Sequence, residues 1–417
     1  MLLLTALALS SGCDDDGDDR KKQEGPPPQI QQRGLVQHLT ALQRIADAND
    51  GERAAGTKGY DSSVAYVERT LGQAGWRVQT QQAPMAAWRQ DGPARLVVAG
   101  RALAPNEFRV PSYSAAGDVS GTLRAVDDAC ERGDFDELQP GQVAFTGFGT
   151  CFLWRKTVNA RRAGASALVV QARGTPQGVA SATLAVPGLK LPVVLMSNRV
   201  PARDGDQVEL AVNSTTGKGT TQNVIAEIGP KGGRVVMAGA HLDSVPGGPG
   251  INDNGSGVAT LLEVARTFGP RPPGRIRLGF WGAEEEGLIG SRRYVRQLPD
   301  QAREQIAAYL NFDMVGSPNA VPAVYSDGDA RLGRLLRRAN PGPERAILVG
   351  NRSDASAFRG IPVNGLYTGA TEPAPGGRPR DPCYHLPCDT LANVNRRILL
   401  QMARATARAL YELTQAK

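Results

Sequence analysis

Of the three histidines in this 417-residue chain, two stand beside acids in irregular sequence. His241 follows the apolar run RVVMAGA and lies two residues ahead of Asp243, in AHLDS. His385 lies in PCYHLPCD. More carboxylates fall at the ends of other apolar runs. Asp253 sits in GINDNGSG, a Gly-rich loop that opens a helix, Glu284 and Glu285 follow IRLGFW, and Asp313 ends AAYLNF. Any one of these acids alone reads as a turn or cap residue. Together with two histidines they do not, because so much like charge in one crevice is unfavourable unless cations neutralise it. Imidazole and carboxylate donors suit zinc or a similar divalent ion. One catalytic zinc typically takes three protein ligands, and the set on offer is larger. It suffices for two ions about 3.5–4 Å apart that share a carboxylate. Such a pair activates a water, polarises a carbonyl and hydrolyses an amide, while one carboxylate outside the ligand set moves the proton.

These residues need a frame. Leu35 to Asp47 has apolar residues at helical spacing, and its His38 reads as structural or exposed. Ser62 to Gly75 reads as a second amphipathic helix, followed by a strand in WRVQTQQ. After Thr220, strands and helices alternate: TQNVIAEI and RVVMAGAHLD as strands, 255–267 as a helix, and IRLGFW as a strand. Helices at 291–297 and 301–307, a strand in AAYLNFDMVG, and helices at 329–338 and 396–414 follow. This alternation predicts an α/β sandwich around one central sheet, with functional residues just past the carboxyl ends of strands.

The stretch GAEEEGLIGS needs its own reading. Neighbours in a strand point to opposite faces, so adjacent acids serve one site only where the chain bends. Gly282 and Gly287 permit that bend. The third acid, Glu286, reads as a solvated or salt-bridged neighbour.

In order, GAHLDSVPGGPGINDNGSG, WGAEEEGLIGS, YLNFDMVGS, NRSDASAF, GLYTGA and CYHLPCD closely resemble the di-zinc aminopeptidases of peptidase family M28, above all the secreted bacterial ones. The resemblance covers about 35–93 and 220–417. It implies a three-layer α/β/α zinc-peptidase sandwich around a mixed central sheet, and two zinc ions per chain. By that likeness His241 and Asp313 hold one zinc, Glu285 and His385 hold the second, and Asp253 bridges both. Glu284 is then the general base, and Asp243 orients His241 from behind. Tyr384 stabilises the tetrahedral intermediate, and Arg352 lies near the substrate amine. The family often has a cis peptide after the bridging Asp, here Asp253–Asn254. Glu286 stands where close relatives commonly have an apolar residue. Met314 and GLYTGA are expected to line a pocket for a hydrophobic N-terminal residue; the alternative is that Met314 and Tyr367 are core.

Between about 94 and 215 the texture changes to short β-rich pieces with Gly/Pro turns. GTCF, Lys156, Asn159-Ala160 and Ala163-Gly164-Ala165 resemble a protease-associated (PA) domain, which implies a non-catalytic insertion that shapes substrate access. The organisation expected is a signal over 1–13, a disordered tether over 14–33, peptidase sequence over 34–93 and 216–417, and the insert over 94–215. The leader MLLLTALALSSGC is too short to span a bilayer. It reads as a bacterial lipoprotein signal with Cys13 lipidated, plain secretion being the alternative. Membrane contact would then come only through that anchor. Four cysteines remain, an even number that suggests two disulfides in an exported chain. Cys383 and Cys388 are close enough to pair, which leaves Cys130 with Cys151; the alternative is buried free thiols.

The formal charge of +7 is spread out and mostly arginine, with no dense basic run beyond Arg20-Lys21-Lys22, which argues against a nucleic-acid partner. The expected partner is a peptide substrate, and the expected state a monomer. The reading is an exported metallo-aminopeptidase. The alternatives are a carboxypeptidase or dipeptidase of the same family, and a catalytically inactive receptor-like homologue.

Overall fold

The computed structural model describes residues 29–415 apart from 270, 271, 273 and 341–344. The expected signal, Cys13 and most of the expected tether lie outside the described residues. Residues 30–33, expected to belong to the tether, are instead part of the folded chain. Ile30 is 2% exposed within the main core, and a helix runs from Gln32 to Asp47. The backbone N–H of Gln31 also donates to Glu263, which is fully buried on another helix.

Eight strands form the catalytic sheet: β1 (Arg77–Gln90), β2 (Ser214–Ile228), β3 (Val235–His241), β4 (Ile276–Trp281), β5 (Ile306–Phe312), β6 (Ala323–Tyr325), β7 (Arg345–Ile347) and β8 (Val363–Tyr367). Their order is β1-β2-β4-β3-β5-β8-β6-β7. The middle four, β4, β3, β5 and β8, are parallel, while β1–β2, β2–β4 and β6–β8 pair antiparallel. Strands covered on both faces should be apolar throughout, and every residue of β3 is buried. Its alternate residues divide between two layers. Val236, Ala238 and Ala240 join the helices Gln32–Asp47, Gly255–Phe268 and Arg396–Gln415. Val235 and Met237 join Trp281, Tyr294, Tyr309 and Phe358 on the opposite face. The architecture is a mixed α/β sandwich with helices on both faces.

A second sheet of eight strands lies within Arg95–Val212. It has its own apolar clusters, including Leu168, Val170, Val193 and Leu195 on one side and Val169, Val194 and Met196 on the other. The two sheets are joined by a ribbon. β1 pairs with β2 along its full length, from Arg77↔Glu227 to Gln90↔Ser214. The strand expected to end near residue 82 therefore runs on to Gln90, because residues 83–90 find cross-strand partners that local sequence does not announce. The second helix begins at Lys58 rather than Ser62, capped by the Thr57 side chain. The helix expected over 301–307 is short, Asp300–Glu304, and yields to β5 at Ile306.

Both expected disulfides are formed, Cys130–Cys151 and Cys383–Cys388. In the second sheet's domain, Lys156 is buried with its ammonium on the Asp128 carbonyl, and Asn159 donates to the Cys130 carbonyl.

Candidate metal centre

β3, β4 and β5 are parallel neighbours, so their carboxyl ends open on one side of the sheet. His241 closes β3, the turn after Trp281 follows β4, and Asp313 follows β5. Two long loops bring the rest. Asp253 ends the loop after His241, just before the helix Gly255–Phe268, which Asn254 caps through Gly257 N–H. His385 arrives from the loop closed by Cys383–Cys388.

The side chains converge. His241 Nε2 is 3.2 Å from Asp253 Oδ1 and 3.4 Å from Asp313 Oδ1. His385 Nε2 is 3.2 Å from Asp253 Oδ2 and 3.1 Å from Glu285 Oε2. Asp253 thus turns one oxygen to each histidine. Donor atoms of His241, Asp253 and Asp313 form one group within 4.8 Å, and those of Asp253, Glu285 and His385 form another. A third such group joins His241, Glu284 and Glu285. The peptide Asp253–Asn254 is cis.

The electrostatics match the donor set. Burial raises Glu284 well above the carboxylate range, with His241 opposing and Glu285 adding. Burial alone would lower both imidazoles, but Asp313 and Glu284 raise His241, and Glu285 and Asp253 raise His385, well above the usual value. Carboxylates outnumber cationic groups in a dry crevice, and divalent cations relieve that imbalance. Nitrogen and oxygen donors with these spacings fit zinc.

Glu284 and Glu285 face one site because the chain does bend. The residues of positive φ in this stretch are Ala283 (φ 55°), Gly287 (φ 110°) and Leu288 (φ 62°). Gly282 serves another need: a side chain there would meet the Tyr60 and Thr221 hydroxyls. Asp243 fixes the turn, Oδ1 accepting the N–H of Glu284 (3.1 Å) and Oδ2 that of Glu285 (3.2 Å). Its carboxylate lies 3.7 Å from His241 Nδ1, too far for a hydrogen bond. The Asp243 backbone carbonyl, at 3.1 Å, is what orients that ring.

Glu286 makes no salt bridge among the described residues and is not simply a solvated neighbour. It is half-buried, and its two oxygens accept hydrogen bonds from Ser112 Oγ (3.0 Å) and Thr183 Oγ1 (3.3 Å), both in the second sheet's domain. Burial pushes its carboxyl up to about 7. Arg352 is exposed, and it is Ser353 beside it that reaches the cluster, donating to Asp313 Oδ2 at 2.7 Å. Tyr384 stacks on the His385 ring, with centroids 3.8 Å apart. Met314 is buried, and its N–H donates to Asn254.

Two supporting residues escaped sequence reasoning. Arg53 is fully buried and donates to the carbonyls of Leu242, Pro249 and Gly250, pinning the loop between His241 and Asp253. Asp389 accepts the N–H groups of Asn252 and Asp253, both at 2.9 Å, and so holds the central carboxylate's backbone. Arg53 lies in an unremarkable loop, whereas Asp389 closes the CYHLPCD motif and could have been flagged there.

An α/β sandwich with this cluster at the ends of its parallel strands defines a metal-dependent hydrolase. Residues 223–410 match the model of peptidase family M28. An aminopeptidase of Pseudomonas aeruginosa is 36% identical over 88% of this chain and 78% of its own length. A probable lipoprotein aminopeptidase of Mycobacterium tuberculosis, LpqL, is 36% identical over 89% of this chain and 82% of its own. The crystal structure of BSAP, a zinc aminopeptidase from Bacillus subtilis, superposes with a TM-score of 0.76 at 25% identity, covering 93% of this chain and 97% of that one. The chain belongs to peptidase family M28 and is a zinc metallopeptidase of the aminopeptidase kind.

Proposed function

We propose that the protein is an exported aminopeptidase that holds two zinc ions and removes hydrophobic N-terminal residues from peptides. The observation that carries the two-ion reading is Asp253, whose two oxygens each lie 3.2 Å from Nε2 of a different histidine. His241 and Asp313 would complete one position, and Glu285 and His385 the other. Bound zinc supplies Lewis acidity, which lowers the pKa of water and polarises the scissile carbonyl. Glu284, beside both positions and outside the bridging pairs, takes a proton from the attacking water and delivers it to the leaving amine. Tyr384, held against His385, donates its hydroxyl to the oxygen that becomes negative. The carboxylates of Glu284 and Asp313 hold the ammonium of the substrate's free N-terminus.

Export is supported by the two disulfides, which persist in oxidising compartments. The name of the Mycobacterium tuberculosis relative also speaks for a lipoprotein. No helix among the described residues is long and apolar enough to cross a membrane. The inserted domain is proposed to be of the PA type.

Aminoacyl-p-nitroanilides and N-blocked peptides, assayed on zinc-replete protein of measured metal content, test this reading. The expected result is two zincs per chain, cleavage of leucyl, methionyl and phenylalanyl anilides, and none of blocked peptides. Cleavage of blocked peptides alone would move the assignment to a carboxypeptidase or dipeptidase.

A further inference from the structure

Each candidate zinc position has one histidine, and each histidine is oriented through Nδ1. For His241 the partner is the carbonyl of Asp243, two residues away. For His385 it is the carbonyl of Ser181, 2.9 Å away and 204 residues distant, in the inserted domain. A carbonyl only accepts, so Nδ1 carries the proton and the lone pair of Nε2, 3.2 Å from Asp253 and 3.1 Å from Glu285, is left for an ion shared with those carboxylates. The link is reciprocal, because Ser181 N–H donates to the His385 carbonyl at 3.0 Å. Ser181 Oγ also donates to the Pro246 carbonyl in the loop after β3.

The same segment also holds the residue next to the other proposed ligand. Ser112 and Thr183 lie side by side as bridge partners, Ser112 N–H bonding the Ala182 carbonyl and Leu184 N–H the Ser112 carbonyl. Their two hydroxyls hold the two oxygens of Glu286, the residue after Glu285. The insert therefore contacts His385 directly and holds Glu286, the residue next to Glu285. The other position is braced from within the catalytic domain, where Ser353 holds Asp313 and Asn311 holds Ser353.

We propose that the inserted domain is a positioning element for one metal position only: its segment 181–185, docked through Ser112 and Thr183 on Glu286, sets how tightly the His385–Glu285 position holds its ion. Ser181, Ser112 and Thr183 are positioning residues that act through His385 and Glu285. This rests on the two-zinc reading above.

The test is calorimetric titration of the metal-free full-length chain with zinc. Wild type shows two binding steps, and His385→Ala identifies which belongs to its position. In Ser112→Ala/Thr183→Val that step weakens about tenfold, the lower end of what losing an outer partner of a ligand costs, while the other step holds. Thr183→Ser, which keeps the hydroxyl, binds as wild type. Should the double variant fail to fold, Thr183→Val alone, nearly the same shape without the hydroxyl, gives the same reading at smaller amplitude. Two unchanged steps, or two steps weakened alike, overturn the proposal. A single step in wild type overturns the two-zinc reading and takes this inference with it.

Discussion

His241 and His385 face opposite oxygens of Asp253 at the same distance, yet they are built differently. His241 ends a buried strand and takes its orientation from its own loop. His385 sits on a disulfide-closed loop and takes its orientation from another domain. One half of the centre is oriented from within the catalytic sheet's own loop; the other is oriented from the region of the second sheet. Identical ligand chemistry can therefore rest on unequal mechanical support.

The largest expected effect does not distinguish the halves, and so sets the baseline. Glu284→Gln should cut turnover by about 10²–10⁴ while leaving both zincs in place. Full activity in that variant would remove Glu284 from the role of base. Next comes Asp389→Ala. Asp389 holds the backbone of the bridging residue, so both zinc steps should weaken together, each by about 10–100-fold. A selective loss would mean that Asp253 does not bridge. Asp243→Asn should touch the base and the Glu285–His385 half, since one carboxylate receives the N–H of the proposed base and of the proposed ligand Glu285. An amide has one accepting oxygen in place of two, so a loss of about tenfold in zinc affinity is expected, measured by the same titration.

The smallest effect comes from a group far from either half. Burial lowers the pKa of His38 to about 4, and its Nδ1 bonds the Tyr66 hydroxyl at 2.7 Å. The unfolded chain, with a pKa near 6.5, binds that proton more readily, so stability falls as pH drops from about 6.5 toward 4. The slope is at most about 1.4 kcal/mol per pH unit, readable by urea unfolding. His38→Leu should flatten that slope and leave both zinc steps intact at neutral pH. A changed zinc step would show that general loosening reaches the centre.

The clustered residues were legible in the sequence because metal chemistry restricts residue type, and parallel strands restrict where such residues can stand. His241, Glu285 and Asp313 carry that double signature, while Asp253 and His385 come in on loops and carry only the first part of it. What held them was less legible. The carbonyls of Asp243 and Ser181 orient the two rings, and a backbone carbonyl leaves no mark in residue type. Glu286 looked idle because its partners lie more than a hundred residues away, and hydroxyl donors such as Ser112 and Thr183 are common everywhere. Arg352 was expected near the substrate amine by family likeness, whereas the short hydroxyl of Ser353 is what the local geometry delivers to Asp313. The fold followed the same rule. Strands covered on both faces announced themselves by continuous apolarity, while the outer half of β1 depends on a partner strand and did not.

That ribbon has one more consequence. Gln90 and Ser214 are paired neighbours, so the chain leaves the catalytic domain and re-enters it at a single point. A tight turn at that spot would join β1 to β2 without altering the order of any strand in the catalytic sheet. Topologically the inserted domain is a detour, and the peptidase sheet is complete without it. Chemically it is not, because the carbonyl facing His385 lies on the detour. An architecture whose catalytic sheet closes without that region keeps the orientation of the His385 ring there.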